Sequence, residues 1–453
     1  MSHVALELDD RAVALAAGGR LLSSAPSAVF DGTGETTIGA NAWQALRLRP
    51  RAISTRHLGA LLTQRGMFAR AEALVEAELK ARVAEHIEGQ RMWIVAPAQA
   101  EAAGLTALLG ITRRMGLPVD GFVDSATVIT AGLGSEQNTI VLELGLHHAA
   151  ATSVDCSGSQ ARRRRAVHTE RGGLIELYQV WLDLVSTTMV KRTRFDPLHD
   201  AATEQHVFDA ISSLVLEAAS TGSATVSLTK GTDRFEVALT RDQFTQAAQP
   251  IYRAIVSLLH QLRPAGVPVA IVMPQVAAQL PGLREQLEQF VGCDLIAVPD
   301  GFAAAATSLL DLPPPLESET AVALVRRLPL VPEPTALEKE SLGQRRVAGP
   351  APSHVLWDGR AYPLQPDTLV VGREPTSNPR HITLPDGLAG VSRRHCTFVH
   401  DGEELVLLDH SSFGTYVNGE RVQERVRIYA GDRVRLGEPG VELTLIAVGP
   451  QQP

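Results

Sequence analysis

A run of prolines, Leu312-Pro313-Pro314-Pro315, constrains this chain more than any other feature. Proline has no amide hydrogen and a fixed φ, so consecutive prolines belong neither in a helix interior nor in a central strand. From there to about Pro352 the chain is rich in Pro, Glu and Ser, including Val331-Pro332-Glu333-Pro334. Such a stretch favours extended polyproline geometry, which makes residues 313–352 a semi-stiff spacer. Residues 321–326 alone retain enough apolar character for one strand docked on either neighbour. The spacer separates two hydrophobic patterns that cannot share a core. Residues 1–312 alternate strand-like and helix-like runs, whereas residues 353–450 repeat with period two throughout. A length of 453 residues agrees with more than one domain.

In the first segment, residues 4–8 and 13–17 are short apolar strands around the turn Asp9-Asp10-Arg11, and Gly18-Gly19 makes the next reversal. Helical spacing follows over residues 64–88, then a buried strand at 92–96 closed by Pro97. A helix over 99–116, a strand at 121–123 and a helix over 125–132 come next. Residues 139–144 and 150–154 form a hairpin. The second half repeats this outline: helical residues 172–217, a hairpin at 224–239, a helix over 240–262, a strand at 269–273, then helices over 283–290 and 300–310. Alternation of this kind predicts an α/β domain of two similar halves facing a cleft. The net charge of −8 argues against a general nucleic-acid binder. Cys156, Cys293 and Cys396 lie far apart without a CxxC pair, as reduced structural thiols do. The first residues lack a signal-peptide pattern and no apolar run is long enough to span a bilayer, which predicts a cytoplasmic chain.

In the last segment, short strands are separated by Asp-Gly, Asn-Gly and Gly-Asp turns, the pattern of a β-sandwich. Three polar motifs interrupt them: Gly372-Arg373, Ser392-Arg393-Arg394-His395, and Ser411-Ser412-Phe413-Gly414-Thr415-Tyr416-Val417-Asn418-Gly419. In this order they resemble the signature of forkhead-associated (FHA) domains, sandwiches whose apical loops bind phosphothreonine peptides. A phosphothreonine carries roughly −1.5 to −2 charges near neutral pH, and a planar guanidinium meets two of its oxygens at once. The resemblance assigns that contact to Arg373, a second bond to the Ser392 hydroxyl, and ligand-facing positions to Arg393, Ser412 and Phe413. His395 is implied as a strut for the serine-bearing loop. Gly372, Gly414 and Thr415 shape the loops, and Asn418-Gly419 is a tight hairpin turn. Many family members carry asparagine, bonded to the peptide main chain, where this chain has Phe413.

Residues 1–312 resemble the nucleotide domain of DnaK-class chaperones, with its actin-like fold. The resemblance rests on residues 4–8, Pro26-Ser27-Ala28-Val29-Phe30, Trp93-Ile94-Val95-Ala96-Pro97, Arg171-Gly172-Gly173 and Val298-Pro299-Asp300-Gly301-Phe302-Ala303-Ala304. That class approaches ATP phosphates with bare glycine backbone. Here Glu7-Leu8 is followed by Asp9-Asp10-Arg11, whose carboxylates would repel a triphosphate. Glu143-Leu144-Gly145 is followed by Leu146-His147-His148, leaving one glycine of three. Met273-Pro274 replaces the adenosine-side glycines, and Gly172-Gly173 alone is intact. The cleft is thus expected to be degenerate, with no cofactor. Glu7 and Glu143 are read as capped or solvated carboxylates in preference to Mg²⁺ ligands. His147-His148, as adjacent strand residues, would face opposite ways. Arg162–Arg165 are read as a solvated loop beside the hairpin, or a contact for an acidic partner. The combined expectation is a two-lobed actin/chaperone-ATPase-like pseudo-ATPase followed by an all-β FHA sandwich. It would be a non-enzymatic adaptor for a phosphothreonine-containing protein, with a Ser/Thr kinase substrate as the candidate partner, no nucleic acid and no membrane span. The alternative is a divergent ATPase regulated by phosphopeptide binding.

Overall fold

A computed structural model of the chain describes residues 3–32, 36–64, 68–83, 91–263, 268–290, 293–313, 323–332, 335, 352–358, 360–364, 368–374, 380–385, 388, 390–401, 404–417, 420–422, 424–430, 432–437 and 440–447. They fall into two compact units, residues 1–342 and 343–453.

The first unit is built on two six-stranded sheets of one plan. In the first, Val4–Glu7 pairs antiparallel with Val13–Ala17, which pairs with Arg20–Ala25. On its other side Val4–Glu7 runs parallel to Met92–Ala96, which runs parallel to Val119–Asp124. In the second, Thr139–Leu144 begins the meander through Ala149–Ser157 and Gln160–Thr169, and runs parallel to Val269–Pro274, followed by Cys293–Val298. The central runs Met92–Ala96 and Val269–Pro274 are buried at every position, as parallel strands covered on both faces require. Helices Leu174–Thr193, Ala201–Thr221 and Arg241–Leu262 pack on the second sheet around Trp181, Phe208 and Tyr252. The last of these helices starts on a capping box made by Thr240 and Gln243. No helix among the described residues is long and apolar enough to cross a membrane.

Several expectations need correction. The run Arg162–Arg165 is strand, not loop: Arg163 ion-pairs with Asp124 and donates to the Ala98 carbonyl, while Arg164 pairs with Asp155. Consecutive arginines hid a strand whose two faces carry different partners. Residues 172–217 hold two helices, broken where Arg194 takes a left-handed φ of 65° ahead of Pro197. Of the run expected to be helical over 64–88, Phe68–Val83 is helix, and residues 65–67 and 84–88 lie outside the described residues. A separate helix, His57–Thr63, precedes it and ends at Gln64, left-handed at φ 55°. The docked strand expected over 321–326 is Ala323–Val325, parallel in the first sheet, but the stretch read as spacer also holds an unexpected one, Arg327–Pro329, antiparallel in the second.

The second unit is a β-sandwich. One sheet orders its strands as Arg360–Pro363, His354–Trp357, Val441–Ile446, Arg433–Leu436, Thr415–Val417 and Glu420–Arg421. The other orders His381–Thr383, Leu369–Gly372, Cys396–Asp401, Glu404–Asp409 and Arg425–Arg427. Val355, Leu443 and Leu445 from the first sheet share a core with Phe398, Leu407 and Val371 from the second. The registers Val371↔Cys396 and Cys396↔Asp409 put the loops after Gly372, before Cys396 and after Asp409 at the same end.

Candidate functional site

Those three loops are tied together by their own backbone. The Arg373 N–H donates to the Ser392 carbonyl at 3.2 Å, and the Glu374 N–H to that of Arg393 at 3.1 Å. A Cβ on Gly372 would lie 2.0 Å from the Arg393 carbonyl oxygen, so only glycine permits this approach. His395 is fully buried. Its Nδ1 accepts from the Ser392 N–H at 3.0 Å, and its Nε2 lies 3.1 Å from the Gly414 carbonyl. An acceptor at Nδ1 and a donor at Nε2 describe one neutral tautomer. Desolvation favours the same state by lowering the His395 pKa. Gly414 takes φ 88°, and its N–H donates to Ser411 Oγ at 2.7 Å. Asp409 braces the third loop, accepting from the Ser411 N–H at 2.9 Å and the Thr415 hydroxyl at 2.7 Å. Burial alone would raise the Asp409 carboxyl, but these bonds hold it below the ordinary range.

Two groups in this cluster are left with unspent hydrogen-bonding capacity. Ser392 Oγ accepts from the Ser412 N–H at 3.1 Å, which directs its lone pair inward and leaves its proton to donate. Arg373 is half-buried, and its Nε has no partner among the described residues. A buried donor left unpaired costs about 1–3 kcal/mol unless something outside the chain supplies an acceptor. Residues 369–437 match the family model of the FHA domain. No curated protein matches the chain. Within the FHA domain, Arg393 is largely exposed and lies 3.7 Å from Glu374, and Phe413 is 55% exposed. Arg394 turns towards Thr397 at 3.5 Å. Asn418 and Gly419 lie outside the described residues. Sequence reading missed Asp409 and gave Ser411, the first residue of the third motif, no role of its own. Asp409 closes an alternating run immediately before the third motif, and its spacing to Thr415 was the available signal.

The residues assigned to a degenerate nucleotide cleft also converge, in the first unit, and their space is filled. Arg11 reaches across between the two sheets, bonding Asp9 at 2.8 Å, Asp300, and the Leu144 carbonyl at 3.2 Å. Asp10 accepts from the Leu146 N–H at 2.7 Å, so the turns after Glu7 and Leu144 are bonded directly to each other. The cavity remaining among Glu7, Arg11, Glu143, Gly145 and Asp300 is about 50 Å³. A Cβ on Gly145 would meet His148 at 2.4 Å and Asp10 at 2.6 Å. Gly172 donates to Glu176 at 2.9 Å, and the N–H groups of Leu174 and Ile175 go to the Gly145 and Leu146 carbonyls at 2.9 Å. A Cβ on Gly173 would lie 2.5 Å from the Leu146 carbonyl. These glycines therefore serve loop-on-loop packing.

Glu7 accepts from the Ala304 N–H at 2.9 Å, and Glu143 from the Ala98 N–H at 2.8 Å. Desolvation pushes Glu7 up to about 8, helped by the charge on Asp9, and Glu143 up to about 7. Carboxyls that hold protons near neutrality are poor magnesium ligands. No group of three or more His, Cys, Asp or Glu suited to a metal ion occurs among the described residues. His147 and His148 sit in a turn, not a strand. They diverge, His147 to Thr55 at 2.8 Å and His148 towards Asp10 at 3.8 Å.

Proposed function

We propose that this protein is a phosphothreonine-dependent adaptor in Ser/Thr-kinase signalling, its FHA domain docking on a phosphorylated partner. The observation that carries this reading is the half-buried Arg373 guanidinium with an unpartnered Nε, beside a Ser392 hydroxyl positioned to donate. A phosphate dianion supplies acceptors for both, and the arginine meets it with charge-assisted bonds. The test is a phosphopeptide library read by fluorescence anisotropy against its unphosphorylated copies. Phosphothreonine peptides are expected to bind selectively; equal binding of both sets would sink the reading.

The first unit, in this proposal, is an actin-like scaffold related to the DnaK class that neither binds nor hydrolyses ATP. Support comes from the shared plan of its two sheets and from Arg11, which occupies the place between the turns where phosphates would lie. Calorimetry with ATP and Mg²⁺ on the full chain should register no binding. Micromolar affinity would instead favour a divergent ATPase gated by phosphopeptide.

A further inference from the structure

A second, larger cleft lies in the first unit and adjoins the closed one at Gln99 and His148. Its volume is about 670 Å³, within the roughly 300–1,000 Å³ of small-molecule sites. One wall comes from residues 46–74, the other from the turn holding His147 and His148. His57, on helix His57–Thr63, lines it and is 2% exposed. Behind His57 a polar network is saturated. Glu78 accepts from Ser27 Oγ and His57 Nε2 at 2.8 Å on one oxygen, and from Arg82 at 2.7 Å on the other. Burial alone would raise the Glu78 carboxyl, but His57 and Arg82 hold it below the ordinary range. An ionised Glu78 fixes His57 Nε2 as a donor. His57 Nδ1 is buried as well, and it has no partner. Gln99, 9% exposed on the same cleft, likewise has a buried Oε1 with no partner.

The charges on the walls point to what would answer those two groups. Arg51, Arg56 and Arg70 line the cleft. Arg70 is 3.5 Å from Asp31, while Arg51 and Arg56 have no ion pair among the described residues. Of the facing acids, Asp10 is occupied by the Leu146 N–H, and Glu170 is exposed and engaged by another group. We propose that this cleft binds a small phosphate ester bearing hydroxyl groups, a sugar phosphate in chemical class. Its phosphate lies against Arg51 and Arg56, and its hydroxyls bond to His57 Nδ1 and Gln99 Oε1. A hydroxyl can donate or accept at the two unpartnered groups, a phosphate gives the two exposed guanidiniums a charge-assisted partner, and this class carries both. The cleft shares Gln99 and His148 with the closed one, whereas Arg51, Arg56 and His57 line it alone, and the proposal stands whether or not the FHA domain reads phosphothreonine.

The test uses the full chain and thermal unfolding with ribose 5-phosphate, ribose and inorganic phosphate as probes. Ribose 5-phosphate should raise the melting temperature in a dose-dependent way, with each half-probe binding at least about tenfold more weakly. Arg51→Gln and Arg56→Gln are exposed positions that should fold normally and weaken ribose 5-phosphate at least about tenfold each. Absence of any dose-dependent shift overturns the proposal. So does inorganic phosphate binding as tightly as the sugar phosphate, or affinity unchanged in both variants.

Discussion

Arg11 and Arg373 both stand in a loop beyond a strand end, in regions that the sequence links to phosphate chemistry, and they have opposite surroundings. Arg11 is 9% exposed and spends its donors on Asp9, Asp300 and the Leu144 carbonyl. Arg373 has its loop fixed by three neighbouring bonds, yet its Nε is buried without a partner. A guanidinium already neutralised by its own chain cannot gain much from a ligand, because the ligand must displace carboxylates of equal charge. One held in place but unanswered gains the full charge-assisted bond. The state of the partners, more than the residue type, separates a filled site from a receptive one.

The sharpest way to break the contrast is at the filled site. Arg11→Ala removes a buried guanidinium and leaves the partly exposed carboxylates of Asp9 and Asp300 unpaired near buried Glu7. It should lower the unfolding free energy by about 2–4 kcal/mol in denaturant titration, with no gain of ATP binding. A variant of unchanged stability would mean that the arginine is not holding the turns. At the receptive site, Arg373→Ala should leave stability nearly unaltered while costing about 1.5–3 kcal/mol of phosphopeptide binding, roughly ten- to hundredfold. An unchanged titration curve would assign the phosphate elsewhere.

Protonation offers a smaller readout. A carboxyl raised to about 8 in the folded chain binds more protons than its unfolded counterpart between roughly pH 4.5 and 8. Its contribution is fully present below the unfolded value and is lost as pH rises through the folded one. Glu7→Gln, which can still accept from Ala304, should flatten the stability–pH profile over that window and be the more stable form at pH 8, on the order of 1 kcal/mol. A parallel profile would place the titration in another group. Smallest of all, Phe413→Asn should tighten phosphopeptide binding by about 0.5–1.5 kcal/mol, one hydrogen bond's worth, while leaving the melting temperature alone. Weaker binding would show that the exposed ring itself contacts the peptide.

The FHA strands were largely legible because half-buried strands alternate with period two, and their turn residues punctuate the pattern. Arg360–Pro363 and His381–Thr383 escaped notice as short edge strands with little apolar content. In the first unit the central strands could be read from unbroken apolar runs. Gln160–Thr169 could not, since four arginines mask alternation when each face finds its own acidic partner. Arg11 was read as part of a repelling acidic turn. Its partner Asp300 lies 289 residues away, and a long-range pair of that kind leaves no local trace.

The strands at Ala323–Val325 and Arg327–Pro329 are separated by Arg326 alone, yet they belong to different sheets. The chain then continues along the same seam, with Leu330, Val331 and Thr335 donating to the carbonyls of Ser159, Ala131 and Gly132. With one residue between them, neither strand can follow its own sheet without pulling on the other, so the two sheets are stitched to each other by a single short thread of backbone.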